Sequence, residues 1–188
     1  MALELQILDY LQTIHTPLLD KLLIGASTLG NTGIVWIGLT LILLIIPKTR
    51  SVGKVLVLAL IIELVTVNLI LKPVVHRPRP FEVNPAVQLL VKPPVDYSFP
   101  SGHTSMAFTV VSVLFLMKRR GLGIIACILA LLIAFSRMYL YVHYPTDVLV
   151  GLIIGLLSGY AGYQLYQYLE KKLNNKKKLN NETDIDKA

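Results

Sequence analysis

The sequence is poor in cysteine and in charged side chains, and each shortage excludes a class of protein. Cys127 is the only cysteine in the 188 residues, which excludes a disulfide framework and a zinc site made of several thiolates. Charged residues make up 15% of the chain and hydrophobic residues 54%, whereas soluble proteins carry about 25% charged residues. The formal net charge is +7, but the basic residues are not interleaved with aromatic ones, so we expect no nucleic-acid partner.

The hydrophobic residues are collected into six runs, which is typical of a protein that crosses a membrane several times. These runs cover residues 18–29, 34–46, 55–71, 101–117, 122–141 and 145–169. The first run is shorter than the roughly 20 residues that a spanning helix needs, and Asp20 and Lys21 interrupt it. If every run crosses, residues 1–170 form one all-α, integral-membrane domain built as a six-helix bundle.

The two ends of the chain differ from these runs. Over residues 2–14, apolar side chains recur among polar ones, just before the pair Thr16-Pro17. This pattern predicts an N-terminal amphipathic helix that lies at the membrane interface. Because no basic flank or small-residue cleavage site accompanies it, we expect no cleavable signal peptide. Residues 171–188 are polar and lack apolar periodicity, which predicts a disordered cytoplasmic tail.

The basic residues of the short connections predict the orientation in the membrane. If the chain crosses at each run, one side collects Lys48, Arg50, Lys54, Lys118, Arg119, Arg120 and the lysines of the tail. The positive-inside rule assigns that side to the cytoplasm. Six crossings then place both termini in the cytoplasm, while the connections 72–100 and 141–146 face the extracytoplasmic side.

Two polar clusters lie where apolar runs end or begin. Lys72 and Arg79 end one run and enter a proline-rich connection. Alone, they fit cations that extend to a membrane surface, but the prolines on both sides of Arg79 restrict the backbone, which a solvated charge does not need. The segment Pro100–His103 opens the next run. Its free N–H groups and helix dipole favour an anion, although an ordinary capped helix is the alternative.

A third cluster contains Arg137, His143 and Asp147, between the fifth run and the sixth. Since Pro145 is tolerated in the first turn of a helix, we expect Asp147 in that turn and within reach of His143. An Asp that accepts from Nδ1–H of an imidazole leaves Nε2 free as a nucleophile. A helix-capping Asp beside an interfacial His is the alternative. Together, the three clusters on one membrane face predict a site for the phosphate group of a lipid.

The spacing of these clusters, KxxxxxxRP, PSGH and SRxxxxxHxxxD, resembles the type 2 phosphatidic acid phosphatase superfamily. It is carried here by Lys72–Pro80, Pro100–His103 and Ser136–Asp147, with no departure at a motif position. The resemblance covers most of residues 18–169. It implies an enzyme that hydrolyses a lipid phosphate monoester or diphosphate at the extracytoplasmic face through a phosphohistidine. Similarity to small bacterial members implies the bacterial plasma membrane, and undecaprenyl diphosphate, phosphatidylglycerol phosphate or phosphatidic acid as substrate.

The resemblance also implies a role for each motif residue. His143 is the expected nucleophile, Asp147 orients it, and His103 protonates the leaving oxygen and then activates water. The expected phosphate-binding residues are Lys72, Arg79, Ser101, Gly102 and Arg137. Because no carboxylate cluster accompanies them to hold magnesium, we expect no metal and no cofactor. Apart from the lipid substrate and the bilayer, we expect no obligate protein partner.

Two other functions use a similar anion site. A protein that binds or transports a phosphorylated lipid without turnover needs the cations, but not the pair of His143 and Asp147. A vanadate-dependent peroxidase has a similar anion site, but those proteins resemble a soluble architecture, which the apolar runs disfavour.

Several polar residues and glycines lie outside the motifs. Glu63 interrupts the third run, and the sequence favours a hydrogen bond from it to a neighbouring helix, far from the site. Asn68, one turn before Lys72, is a candidate support for that lysine. His76 and Arg77 are expected to be solvated charges, with a contact to a lipid headgroup as the alternative. Glycines recur every fourth residue at 151, 155 and 159, a spacing that favours close helix packing within the bundle over dimerisation.

Overall fold

The computed structural model describes the backbone of residues 2–185 and the side chains of residues 2–176. Within this part of the chain every regular element is helical, so the expected all-α class is confirmed. The α-helices are α1 (Ala2–Gln12), α2 (Pro17–Gly30), α3 (Ile34–Ile45), α4 (Arg50–Leu64), α5 (Lys72–Val75), α6 (Pro80–Val83), α7 (Gly102–Leu116), α8 (Arg120–Tyr139) and α9 (Pro145–Ile185). A 3₁₀ turn, Asn31–Gly33, joins α2 to α3, another, Pro47–Thr49, joins α3 to α4, and a π-helical segment, Val65–Leu71, continues α4.

Helix α7 forms the centre of the bundle, packed against α4, α8 and α9. Its buried apolar side chains share one hydrophobic core with those three helices. A Cβ added to Gly151 would lie only 2.6 Å from the carbonyl oxygen of Ser101, and Gly155 and Gly159 approach α7 as closely. The absent side chains let α9 lie directly against α7. This contact places Asp147 beside the start of α7, where the Ser101 N–H donates to its carbonyl oxygen at 3.0 Å.

Five helices, α3, α4, α7, α8 and α9, run between the two ends of the bundle. At one end, Arg119 donates to the carbonyl oxygen of Lys48 at 3.1 Å, which brings the α3–α4 and α7–α8 connections together. The opposite end, called here the site end, holds the three polar clusters. By length and hydropathy, four described segments could cross a membrane: Pro17–Ile45, Pro47–Val83, Arg120–Tyr139 and Pro145–Lys176. Gly102–Leu116 is a shorter apolar helix.

Helix α2 stays at the site end, so the count of six crossings is not confirmed. Near its start, Asp20 accepts a hydrogen bond from the Tyr139 hydroxyl at 2.6 Å, and just past its end Asn31 bonds to His103 at 2.9 Å. Tyr139 and His103 both belong to the site end. With 14 residues, α2 is about 21 Å long, which is less than the roughly 30 Å of a bilayer core. The run at 18–29 therefore covers the site end of the bundle without crossing it.

The N-terminal helix is present, but its position changes the predicted topology. α1 buries Leu8 and Leu11 against Tyr141 and Tyr144 of the α8–α9 connection. It therefore lies at the site end, whereas α9 starts at that end and runs away from it. In the described part of the chain, α1 and the far end of α9 thus lie at opposite ends of the bundle. The prediction that both termini are cytoplasmic stays a prediction.

Helix α9 continues past its expected end near Leu169 as far as Ile185. Its last turns therefore overlap residues 171–188, for which the composition predicts disorder. Lysine and glutamate favour helices even without apolar contacts, which explains how a polar sequence can continue one. Residues 186–188 lie outside the described part, and the boundary at residue 170 stays a prediction.

Candidate active site

The three polar clusters meet at one cavity of about 300 Å³ at the site end. Its lining includes five of the eight predicted site residues: Lys72, Arg79, His103, Arg137 and His143. They come from separate parts of the chain, namely the start of α5, the residue before α6, the first turn of α7, the last turn of α8 and the α8–α9 connection. The prediction that both histidines share one pocket therefore agrees with the geometry.

His143 is buried, with 1% of its surface exposed, and its two ring nitrogens face different partners. Nε2 lies 3.3 Å from Nη1 of Arg79, and Nδ1 lies 3.5 Å from Oδ2 of Asp147. A guanidinium only donates hydrogen bonds, so Nε2 presents its lone pair and the proton resides on Nδ1. Burial lowers the pKa of His143 well below its ordinary value, and the charges of Arg79, Arg137 and Lys72 lower it further. The imidazole is therefore neutral at neutral pH.

Asp147 is completely buried behind His143 and is held by several donors. Oδ2 accepts from the Ser98 hydroxyl at 2.5 Å and from the Tyr144 N–H at 3.0 Å. The 3.5 Å to Nδ1 of His143 is longer than a good hydrogen bond. Catalytic hydrogen bonds are often long without substrate. Nδ1 of His143 faces the carboxylate of Asp147, as the expected pairing of these two residues requires.

The phosphate-binding cations are paired with a carboxylate that sequence reasoning missed. Asp96 forms an ion pair with Lys72, and its Oδ1 accepts from Nη2 of Arg79 at 2.6 Å. Its carbonyl oxygen accepts from Nε of Arg79 at 2.7 Å. Burial alone would raise the pKa of the Asp96 carboxyl, but the hydrogen bond and charge of Lys72, with the charge of Arg79, lower it to about 2. An anion therefore already lies between the two cations expected to bind phosphate.

Arg137 is the third cation of the cavity. It is 3% exposed and its Nη1 donates to the hydroxyl of Ser27 on α2. Its Nε is buried and has no hydrogen-bond partner among the described residues. A buried guanidinium with an unused donor is suited to binding an anion that enters the cavity.

The PSGH segment is only partly arranged as expected. Nε2 of His103 lies 2.9 Å from the side-chain oxygen of Asn31, and a Cβ on Gly102 would lie 3.8 Å from Nζ of Lys72. The hydroxyl of Ser101 is buried and lies 3.0 Å from that of Thr104, so it does not line the cavity. Its predicted contact with phosphate stays a prediction.

Arg77 is not a solvated charge, and this expectation was wrong. Its Nη1 donates to Oδ1 of Asp147 at 2.5 Å and its Nη2 to Glu4 of α1 at 2.8 Å. The guanidinium also lies 3.9 Å from the ring centroid of Tyr144, a cation–π distance. The residue lies within the KxxxxxxRP segment, but that pattern leaves its position undefined. Only the fold shows that it touches the carboxylate behind His143.

Other residues of the site also lie outside the motifs. Asp96 and Ser98 belong to the proline-rich connection, which has no periodicity to mark them, and Asn31 belongs to a turn 72 residues away from its partner His103. Among the described residues, His, Cys, Asp and Glu side chains form no group of three suited to a metal ion.

Comparisons with known proteins show which family this chain resembles. Residues 52–171 match the model of the PAP2 superfamily. An undecaprenyl-diphosphatase from Sulfolobus acidocaldarius is 36% identical over 148 residues, which cover 78% of this chain and 70% of the relative. Two further relatives match over only 52% and 39% of their own lengths.

Two crystal structures also resemble this one. LpxE from Aquifex aeolicus superposes with a TM-score of 0.76 at 36% identity, covering 87% of this chain and 96% of the other. A transmembrane phosphatidylglycerolphosphate phosphatase from Bacillus subtilis superposes with a TM-score of 0.71 at 28% identity, covering 91% and 86%. The fold thus resembles that of both solved proteins.

Proposed function

The chain belongs to the PAP2 superfamily and is a membrane lipid phosphatase, and from this premise we propose that it hydrolyses a lipid phosphate ester through a phosphohistidine at His143. The observation that carries this proposal is the orientation of His143. Its Nε2 presents a lone pair toward Arg79 and lines the same cavity as Lys72, Arg137 and His103. A binding protein would need the cations but no neutral, buried nucleophile among them.

The first step forms one bond and breaks one. The Nε2 lone pair of His143 attacks phosphorus in line with the ester oxygen, and the P–O bond to the lipid breaks as the N–P bond forms. His103 gives a proton to the departing oxygen. The imidazole of His143 becomes cationic while its Nδ1 keeps its proton, and the buried carboxylate of Asp147 stabilises that charge.

The second step returns the enzyme to its starting state. His103, now without the proton, accepts one from a water molecule, whose oxygen attacks the phosphorus of the phosphohistidine. The N–P bond breaks, inorganic phosphate leaves and His143 is neutral again. The second step is thus the reverse of the first with water in place of the lipid alcohol, so the same two histidines serve in both steps.

The cations stabilise the charge that spreads over the phosphoryl oxygens. Phosphoryl transfer depends mainly on positioning and electrostatics, and a guanidinium can pair with two oxygens at once. Arg79 and Arg137 suit this role because both are buried, and a Cβ on Gly102 would lie 3.8 Å from Nζ of Lys72. A dianionic phosphate would replace the single negative charge of Asp96 between Lys72 and Arg79.

The membrane side and the substrate follow from further arguments. The end opposite the site carries basic residues in its connections and in the adjoining helix turns: Lys48, Arg50, Lys54 and the cluster 118–120. This supports an extracytoplasmic site by the positive-inside rule. Undecaprenyl diphosphate, phosphatidylglycerol phosphate and phosphatidic acid all carry the required phosphate group. The relatives that act on such lipids support this range of substrates.

The test is phosphate release by purified protein in detergent or nanodiscs, supplied with these three lipids. We expect His143→Ala and His103→Ala to abolish release while the thermal unfolding temperature is kept. His76→Asn is the matched control, because His76 is an exposed histidine that does not line the phosphate cavity. Normal turnover by either alanine variant would refute the mechanism, and no hydrolysis by the unmodified protein would favour a binding function.

A further inference from the structure

Glu4 of helix α1 is connected to the carboxylate behind the proposed nucleophile through one intermediate residue. Its Oε2 accepts from Nη2 of Arg77 at 2.8 Å, and Nη1 of the same guanidinium donates to Oδ1 of Asp147 at 2.5 Å. Its Oε1 accepts from the hydroxyl of Thr146, the neighbour of Asp147, at 2.5 Å. Both oxygens of Glu4 are therefore directed at the first turn of α9, which holds the partner of His143.

The inner side of α1 also packs against the connection that carries His143. Leu8 and Leu11 are buried in one cluster with Tyr141 and Tyr144, which lie on either side of His143 in the sequence. Apolar contacts and an ion pair thus attach α1 to the same short segment. A displaced α1 would no longer support this connection.

Glu4 is ionised at neutral pH, as the ion pair requires. Burial alone would raise the pKa of its carboxyl group, but the hydrogen bond from Thr146 and the charge of Arg77 lower that pKa below its ordinary value. Little of either charged side chain is exposed, and a charge pair shielded from water is stronger than one on an open surface. Replacing the carboxylate by an amide therefore removes an attraction that orients Arg77.

The opposite side of α1 carries large apolar side chains that remain exposed in the described part of the chain. Leu3, Ile7 and Tyr10, called here the outer stripe, are 69%, 42% and 68% exposed. Their intervals of four and three residues place them on one side of the helix. Gln6 and Asp9, also exposed, follow on the neighbouring side. A helix with adjoining apolar and polar exposed sides fits the surface of a membrane, with the apolar side toward the acyl chains.

Lipid is the occupant that fits the outer stripe best. The chain continues from α1 into Pro17–Ile45, a segment apolar enough to enter a membrane, and Leu18 and Leu22 at its start are more than half exposed. The exposed apolar surface is therefore not confined to α1 but continues along the chain. A second copy of the chain fits less well, because three side chains expose far less than the roughly 800 Å² per partner that a stable interface buries.

We propose that α1 lies in the membrane surface through its outer stripe and that Glu4, acting through Arg77, positions Asp147. This inference rests on the proposed function, to which it adds a positioning residue and a contact with lipid. Lipid holds α1, α1 holds Arg77, and Arg77 holds the carboxylate that stabilises the cationic imidazole of His143. Since neither Glu4 nor Arg77 lines the phosphate cavity, a broken link should lower kcat and leave KM unchanged.

The first test is a double-mutant cycle on kcat and KM in nanodiscs. Glu4→Gln should lower kcat by roughly threefold to tenfold, less than the 10–100-fold typical of a directly supporting residue, with KM within about twofold. Added to Arg77→Gln, it should lower kcat by less than about twofold further, because the link is already broken. Glu170→Gln is the matched control, since that carboxylate also accepts a hydrogen bond, from Tyr166, but lies far along α9. An unchanged kcat in Glu4→Gln, or an equal loss in both backgrounds, would overturn the positioning role.

The second test locates the outer stripe by fluorescence quenching. Trp36 is the only tryptophan and is buried, so the unmodified protein supplies the background for Tyr10→Trp. Lipid with brominated acyl chains should quench the new tryptophan strongly, and aqueous iodide should quench it weakly. Quenching by iodide alone would overturn the lipid contact. Protection from both quenchers in a dimeric protein would place a second copy on the stripe and overturn it as well.

The third test connects the stripe to catalysis. Leu3→Ser combined with Ile7→Ser should lower kcat as Glu4→Gln does, whereas Gln6→Ser, on the polar side of α1, should leave kcat unchanged. An unchanged kcat in the stripe variant would overturn the link between lipid and site. Each of these failures leaves the proposed function intact. The absence of any hydrolysis by the unmodified protein would refute that function itself, and the quenching measurement would still test where α1 lies.

Discussion

Arg77 allows a specific prediction, because it contacts Asp147 but does not line the phosphate cavity. Its guanidinium donates to Asp147 at 2.5 Å, to Thr146 at 2.7 Å and to Glu4 at 2.8 Å. We infer that it positions the carboxylate behind His143. Replacing Arg77 by glutamine keeps a donor but removes the charge, and it weakens the link between α1 and α9.

The size of the effect follows from burial. Asp147 is fully buried, and the Arg77 side chain is 17% exposed. Removing one partner of a fully buried pair costs about 3–5 kcal/mol, but Ser98 and the Tyr144 N–H still bond to Asp147. We therefore expect a loss of about 2 kcal/mol of unfolding free energy. Supporting residues of this kind typically change activity by about 10–100-fold, and we expect that loss in kcat.

The assay measures kcat and KM on the best lipid substrate, with thermal unfolding in parallel. KM should stay within about threefold, because Arg77 does not contact the phosphate cavity. Arg77→Lys should recover part of kcat, since lysine restores a charge beside Asp147 but cannot bond as many partners. Arg119→Gln, at the opposite end of the bundle, serves as control. An unchanged kcat, or a raised KM with kcat preserved, would refute the positioning role.

Four further predictions concern the charges of the site. Asp96→Asn should tighten inhibition by inorganic phosphate by roughly three- to tenfold, because Asp96 competes for Lys72 and Arg79, and weaker inhibition would contradict this. The pKa of Asp96 is lowered from 3.8 to about 2. Its contribution to the free energy of unfolding should therefore be constant at neutral pH and decrease only as the pH falls from 3.8 toward 2. Unfolding of the unmodified protein and of Asp96→Asn across this pH range measures that contribution. Since the pKa of His143 is lowered, kcat/KM of the unmodified protein should show no acid limb near pH 6.5, the ordinary value. A limb centred there would count against a neutral nucleophile. Excess chelator should leave the rate unchanged, because three cations already neutralise the phosphate, and a strict magnesium requirement would contradict the assignment.

The sequence predicts where the motif residues lie along the chain relative to the helix ends, because each occupies a defined place relative to an apolar run. Arg137, His143 and Asp147 follow from the end of one helix, a short connection and the proline that opens the next. The membrane class follows from the apolar runs alone. Local spacing is informative in these cases because the residues concerned lie on adjoining helix ends.

What the sequence does not predict depends on contacts between distant segments. The run at 18–29 has the same composition whether it crosses the bundle or covers its end. The hydrogen bond that Arg137 donates to Ser27 holds it at the site end, and this contact is visible only in the folded chain. Asp96 and Arg77 belong to connections without periodicity. Their partners, Lys72 and Asp147, come close to them only because α4, α7 and α9 pack together. That packing leaves no recognisable pattern in a single sequence.

The central claim is that His143 becomes covalently bound to phosphate during turnover. The most direct measurement mixes the protein with lipid carrying a labelled terminal phosphate, stops the reaction within milliseconds in alkaline denaturant, and locates the label by peptide mass spectrometry. We expect phosphate on the peptide that contains His143, and none on the same peptide of His143→Ala. Label on another residue, or steady hydrolysis with no label while the alanine variant stays active, would contradict the account.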